Sequence, residues 1–199
     1  MNPLEEAIGA TDIYLVDQIM KGRYRKDDTV LDAGCGSGRN LHWFIRNNRS
    51  IYGIDQSEEV IRDLWGRYPA VAERFYRSAV EKMPFENDRF EHIISSAVLH
   101  FARDTEHFRQ MMGEMVRVLK PAGSLFIRMT SDIGIEDRVQ QVAGGVYRIP
   151  DGSNRFLLTR GLLADVMQRN GLSFLEPLKT VNVNDIRCMS TVVAVKVSG

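Results

Sequence analysis

The stretch Thr29-Val-Leu-Asp-Ala-Gly-Cys-Gly-Ser-Gly-Arg-Asn40 decides how this chain folds. Its first five residues form a short apolar run, Gly34, Gly36 and Gly38 alternate after it, and Asn40-Leu-His-Trp-Phe-Ile45 opens a helical pattern. A brief apolar run stopped by glycines reads as a buried strand, so the whole predicts strand, glycine turn, helix. Glycines there reach positive φ and let a ligand lie against bare backbone, while a helix N-terminus presents unpaired N–H groups to a carboxylate or phosphate. The stretch therefore reads as a loop for a nucleotide-type cofactor.

The next segment strengthens that reading. Ser50-Ile-Tyr-Gly-Ile-Asp55 is a second short strand, and Asp55 lies 21 residues beyond Gly34, where an acidic side chain can accept both hydroxyls of a ribose. Ser57 is the expected N-cap of a helix with Glu58 and Glu59 in its first turn. Further strands are expected near Arg74–Ala79, His92–Ala97 and Ser124–Met129, with a helix over Asp104–Leu119. In that helix Phe108, Met111, Met112, Met115, Val116 and Leu119 recur at helical spacing, as core packing requires. Lys120-Pro-Ala-Gly123 is its stop signal. The alternation of strand and helix predicts a parallel sheet with helices on both faces.

After a less periodic stretch, Ser131–Leu158, a helix is expected over Thr159–Asn170, capped by Thr159 and stopped by Gly171. Leu172–Val183 and Ile186–Val197 then read as two antiparallel strands joined by a tight turn at Asn184-Asp185. The fold class is α/β: a Rossmann-like three-layer sandwich, its seven-stranded, mostly parallel sheet ending in an antiparallel β-hairpin. We expect one domain over residues 1–199, with a cap helix in 1–28 and a substrate lid in 131–158.

Composition narrows the function. Among 199 residues, 26 Lys and Arg balance 26 Asp and Glu, which argues against holding duplex nucleic acid through a row of phosphates. No apolar run approaches the ~18 residues of a membrane span, and Met1-Asn-Pro-Leu-Glu-Glu6 lacks a signal-peptide pattern. A cytoplasmic protein with no membrane partner is expected. Cys35 and Cys188, the only cysteines, form neither a disulfide framework nor a metal-binding pair, so no metal is expected.

Two cofactor classes compete for the loop. The nicotinamide fingerprint G-x-G-x-x-G, begun at Gly34, would place its third glycine at Arg39, which disfavours an NAD(P)-dependent oxidoreductase. By contrast, Asp32-Ala-Gly-Cys-Gly-Ser-Gly38 resembles motif I of the class I S-adenosylmethionine-dependent methyltransferases. Asp55 matches the acidic residue of their second strand. Ala79-Val-Glu-Lys-Met-Pro-Phe85, His92-Ile-Ile-Ser-Ser-Ala-Val-Leu-His100 and Arg117-Val-Leu-Lys-Pro-Ala-Gly123 follow in the family's order. The resemblance covers about residues 29 to 130, and the terminal hairpin fits the family's last two strands. Gly-Arg39-Asn40 and Arg187–Lys196 are similar to the tellurite-resistance group within it.

The resemblance implies S-adenosylmethionine as cofactor, S-adenosylhomocysteine as product, and a set of site residues. Gly34, Cys35 and Gly36 would line the methionine part, with Asp32 orienting its ammonium group through water. Asp55 would hold the ribose, Gln56 would flank the adenine, and Val80 would offer its backbone N–H to a ring nitrogen with Glu81 beside it. Ser95 or Ser96 would reach the methionine end. Many members carry Asp where this chain has Ala79, so a carboxylate contact to the adenine amino group is expected to be absent.

A sulfonium already activates its methyl group, so no catalytic dyad is required, and none is visible. His100, after the fourth strand, is the candidate base; packing or a structural hydrogen bond is the alternative. His42, His92 and His107 are expected to be structural or exposed. Cys35 sits where a thiol pKa can fall, but a small residue in a crowded loop is the plainer account. No proline is followed by Cys, and Ser95-Ser-Ala-Val98 differs from the Asn/Asp-Pro-Pro-Tyr of enzymes that methylate amino groups of nucleic acids and glutamine. A small-molecule acceptor is expected, with Tyr14, Arg138, Tyr147 and Arg148 as candidate substrate residues and Arg155 as a further cation of the insertion. A binding protein without catalysis remains an alternative.

Overall fold

Thr29–Ala33 (β1) pairs in parallel with Ser50–Asp55 (β2) on one side and Phe90–Ser96 (β4) on the other in a computed structural model that describes residues 2–197. Phe75–Arg77 (β3) extends the parallel sheet beyond β2, and Leu119–Ser131 (β5) extends it beyond β4. Arg187–Lys196 (β11) then runs antiparallel to β5, with Lys179–Val183 (β10) antiparallel to β11. The order is β10-β11-β5-β4-β1-β2-β3.

Period-two alternation along the strands builds two cores. Val30, Ile51, Ile94, Phe126 and Val193 pack with Leu15 of Ile13–Met20 (α2), Phe44 of His42–Arg46 (α3) and Ile61 and Leu64 of Glu58–Arg67 (α4). Their neighbours Leu31, Ala33, Ile93, Leu125 and Ile127 pack with Phe108, Met111, Met112 and Met115 of Thr105–Val118 (α5) and Leu163, Val166 and Met167 of Arg160–Arg169 (α6). Helices on both faces make three layers, as the strand–helix alternation requires. The expected caps are present: Ser57 Oγ accepts from Val60 N, and Thr159 Oγ1 from Leu162 N at 3.1 Å; α5 is capped by Asp104 Oδ1, which accepts from His107 N at 2.8 Å.

Four local expectations are corrected. The helix expected from Asn40 shrinks to the five residues of α3, because Leu41 has no capping side chain and Asn40 Oδ1 is engaged by the N–H of Asp12 at 3.1 Å. The expected strand Leu172–Val183 is interrupted after Leu172–Phe174 (β9) by Leu175-Glu-Pro-Leu178. Pro177 has no N–H for a ladder, and β9 and β10 pair separately with β11, giving eight strands in seven positions. The expected cap helix is two helices, Pro3–Ile8 (α1) and α2, separated at Gly9 with φ +57°.

The fourth correction concerns 131–158. It carries its own three-stranded antiparallel sheet, Gln140–Ala143 (β6), Val146–Arg148 (β7) and Asn154–Phe156 (β8). Phe156 anchors it by stacking on Phe108 of α5 at 4.9 Å. The Asn184-Asp185 turn forms as expected, with both residues at positive φ, the conformation that suits a two-residue hairpin.

Candidate functional site

A cleft of about 720 Å3 opens at the C-terminal ends of β1, β2 and β4. In open α/β sheets this is where the connecting loops diverge and leave a crevice. The walls are Gly34–Ser37, Arg39 and Asn40 after β1, Asp55 and Gln56 after β2, Ser78–Glu81 after β3, and Ser96–Val98, Phe101 and Arg103 after β4. His107 and Met111 of α5 complete them.

The glycine loop is held by its backbone. Gly34 N and Cys35 N both donate to the carbonyl of Ile54, at 2.9 and 2.8 Å. Gly34 has φ +82°, and a Cβ there would stand 2.4 Å from Val98 Cγ2, so only glycine lets the loop pass beneath the turn after β4. Gly36 has φ +50° and nothing within 4 Å of the place a Cβ would take. That bare backbone is open to the cleft.

Two carboxylates define the electrostatics. Asp55 accepts from Gly36 N at 3.0 Å through Oδ2 and from Ser57 N at 2.9 Å through Oδ1. Each oxygen keeps a lone pair for a hydroxyl, so the side chain is locked and still able to accept. Asp32 lies behind the loop at 1% exposure, and neither of its oxygens has a hydrogen-bond partner. Burial pushes its carboxyl up to about 7, Arg39 pulls the other way, and Asp55 adds to the rise. A buried carboxylate without donors suits a cationic ligand, directly or through water. Cys35 is buried, and burial pushes its thiol up, so the reactive-thiolate reading fails; the sulfur instead packs where Gly53 lacks a side chain.

At the far end, Glu81 Oε1 lies 3.1 Å from His107 Nε2 but off the line of a good hydrogen bond. His107 Nδ1 accepts from Arg103 N at 3.2 Å, so the neutral ring carries its hydrogen on Nε2, toward Glu81. At the near end, Asp12 from the N-terminal segment is 5% exposed. Its Oδ2 meets Arg128 at 3.1 Å, Ser96 Oγ at 3.3 Å and Arg39 at 3.6 Å, and Arg39 donates to Ser96 Oγ at 3.0 Å.

Gly34, Cys35, Gly36, Asp55, Gln56, Val80, Glu81 and Ser96 thus converge on one cleft, with Asp32 behind it. Ser96 faces the cleft, whereas Ser95 is buried with its hydroxyl unpartnered. The remaining candidates lie elsewhere. His100 is 8% exposed and does not line the cleft, because the turn Leu99–Phe101 puts Phe101 there instead. Burial, Arg155 and Arg187 hold its imidazole down to about 4. Tyr14 is half-buried with Arg128 5.0 Å from its ring centre. Arg138 pairs with Asp185 at 3.4 Å, and Tyr147 and Arg148 sit in the middle strand of the small sheet; none of them lines the cleft.

Sequence reasoning missed Arg39 and Asn40 as wall residues, and it also missed Phe101, Arg103, His107 and Met111. Arg39 and Asn40 had a signal, since they follow the glycines directly. His107, expected to be structural or exposed, reaches the cleft from the first turn of α5. Among the described residues, no cluster of three or more His, Cys, Asp or Glu is arranged to hold a metal.

Residues 31–127 match a family described as a methyltransferase domain. An uncharacterized methyltransferase of Bacillus subtilis is 29% identical over 120 residues, 59% of this chain and 47% of that protein. The phthiotriol/phenolphthiotriol dimycocerosates methyltransferase of Mycobacterium leprae is 30% identical over 98 residues, 48% of this chain and 35% of that one. The chain thus spans half or less of the length of these curated relatives. Among solved structures, an S-adenosylmethionine-dependent methyltransferase of Methanosarcina mazei superposes with a TM-score of 0.75 at 20% identity, over 91% of this chain and 98% of that one. The 1,6-didemethyltoxoflavin-N1-methyltransferase of Burkholderia thailandensis, solved with 1,6-didemethyltoxoflavin and S-adenosylhomocysteine, gives 0.71 at 17% identity, over 98% and 82%. At these identities the solved structures share the fold.

Proposed function

We propose that this chain, whose residues 31–127 match a methyltransferase domain, is a class I S-adenosylmethionine-dependent methyltransferase that transfers the cofactor's methyl group to a small-molecule acceptor. The observation that carries the proposal is the pairing of Gly36 and Asp55: bare backbone beside a carboxylate whose two oxygens are fixed but not saturated.

When bound, the cofactor supplies a methyl group on a positively charged sulfur, which is already electrophilic. Asp55 accepts the ribose hydroxyls. The Gly34–Gly36 backbone and buried Asp32 hold the methionine end and complement its positive charge, with Arg39 and Ser96 closing that end. Val80 and Glu81 face the adenine, with Gln56 at its flank. The protein's contribution to rate is then alignment and exclusion of water, worth up to about 7–11 kcal/mol for well-oriented reactants. No side chain in the cleft is required to remove a proton before the methyl moves when the acceptor is anionic or has a free lone pair.

A single domain over 1–199 with the small sheet of 131–158 as its substrate lid fits this reading. No helix among the described residues is long and apolar enough to cross a membrane. Calorimetric titration with S-adenosylhomocysteine and with NAD tests the assignment. Micromolar binding of S-adenosylhomocysteine with no heat from NAD is expected; the reverse would replace it with a dehydrogenase. Binding without transfer to any acceptor in a broad metabolite screen would favour a non-catalytic binder.

A further inference from the structure

One wall of the cleft is chemically unlike the rest. Phe101 lines it and is 63% exposed, an unusual state for a phenyl ring set between two buried neighbours, Leu99–His100 and Ala102. Arg155 of β8 lies 5.4 Å from the centre of its ring, and Arg103, exposed, lines the same wall two residues on. Several other arginines have carboxylate partners: Arg109 and Arg169 pair with Asp165, Arg138 with Asp185, Arg160 with Glu136 and Arg187 with Asp151. Among the described residues, no carboxylate pairs with Arg103 or Arg155.

The opposite side of the cleft carries the anions. Asp55 lines it, Asp32 lies behind it, and Arg39 at the near end is offset by Asp12, whereas Glu81 stands 3.1 Å from His107 Nε2, on the same side as Arg103. The charge is therefore divided, negative where the cofactor is assigned and positive around Phe101. His100 beneath Phe101, its ring centre 4.4 Å away, is held neutral above about pH 4 and adds no charge of its own. Arginine pairs reach a carboxylate through parallel N–H donors, and an exposed ring offers a flat apolar body a place to stack. An arginine that meets a carboxylate through two N–H donors distinguishes an acid from its uncharged isostere.

We propose that the acceptor is an aromatic carboxylate, stacked on Phe101 and held through its acid group by Arg103 and Arg155. The inference rests on the methyltransferase reading and adds the substrate class; the carboxylate is the recognition handle. It also assigns the lid a task, since Arg155 arrives on β8 and reaches Phe101 only while the small sheet is docked through Phe156 on Phe108.

The test titrates the full chain, saturated with S-adenosylhomocysteine, with benzoate and indole-3-acetate and with the amide of each. The acids are expected to bind roughly tenfold or more tightly than their amides, a preference that shrinks as salt rises. Arg155→Gln should cut the preference severalfold while leaving the affinity for S-adenosylhomocysteine within about twofold, and adding Arg103→Gln should abolish the preference. Phe101→Ala should weaken acid and amide alike, by roughly fivefold. Equal binding of acids and amides, no binding of either, or an undiminished preference in the double variant would overturn the proposal. Failure of the wild type to bind S-adenosylhomocysteine in the first step would instead remove the methyltransferase reading beneath it.

Discussion

The backbone N–H of Gly36 donates to Oδ2 of Asp55 at 3.0 Å, which ties the glycine loop after β1 to the end of β2. The bond spans 19 residues and sets the distance between the two groups that would grip a ribose and the chain attached to it. Its partner bond, from Ser57 N to Oδ1, leaves the carboxylate no free rotation.

Replacing Asp55 therefore removes a ligand contact and a loop tie together. Asp55→Ala should weaken S-adenosylhomocysteine binding by roughly 100-fold and lower stability by about 1–3 kcal/mol. Asp55→Asn, which keeps one acceptor, should recover much of the stability and little of the binding. Titration calorimetry and thermal melts check both; unchanged affinity in Asp55→Ala would refute the ribose role.

Asp32 makes the ligand-free protein sensitive to pH. Its carboxyl titrates near 7 when folded and near 3.8 when unfolded, so between those values the unfolded chain holds fewer protons and stability falls as pH rises. Asp32→Asn should match the wild type below about pH 4 and exceed it above pH 7, by on the order of 2–4 kcal/mol. The same substitution should weaken S-adenosylhomocysteine binding, and wild-type binding should tighten as pH rises through 7. Denaturant melts from pH 4 to 8 measure the first effect.

His100 acts with the opposite slope. Its imidazole is held to about 4 against an ordinary 6.5, so the unfolded chain takes up more protons as pH falls through that window and stability is lost. His100→Gln should lessen the loss between pH 6.5 and 4. Because His100 does not line the cleft, S-adenosylhomocysteine affinity should change by less than about twofold. A large loss of affinity would return His100 to the site.

The loop glycines should separate folding from binding. Gly34→Ala drives a methyl into Val98, 2.4 Å away, and should cost about 2–4 kcal/mol or prevent folding. Gly36→Ala meets no protein atom, so it should cost only about 1 kcal/mol of backbone strain while placing a methyl in the ligand's path. Equal melting losses for the two, or undiminished ligand binding by Gly36→Ala, would contradict this division.

Asp12 is the remaining test. Its carboxylate is buried between Arg39 and Arg128, and Asp12→Ala leaves two arginines facing each other without it. A loss of about 3–5 kcal/mol is expected, with Arg39 freed to move in the cleft. A melt unchanged within error would show that water replaces the carboxylate.

Much of this protein was legible in one dimension. Thr29–Ala33, Ser50–Asp55 and the caps Ser57 and Thr159 lie where strand length, alternation and local side-chain-to-backbone bonds place them, because each depends on neighbours within a few residues. The same holds for the turn at Asn184-Asp185. The glycine loop and Asp55 were legible because a strand–turn–helix unit brings its own ends together.

The tertiary structure alone decided which side chains meet in the cleft. Phe101 rather than His100 faces it because one short turn rotates the chain. His107 and Met111 enter from a helix assigned to the core, and Asp12 arrives from 84 residues before its partner Ser96. Arg155 stands over Phe101 while Arg138 and Arg148 turn away, because a small sheet organises what looked aperiodic. Periodicity records which face of an element is buried; it carries no information about what a crossover tens of residues long will set against that face.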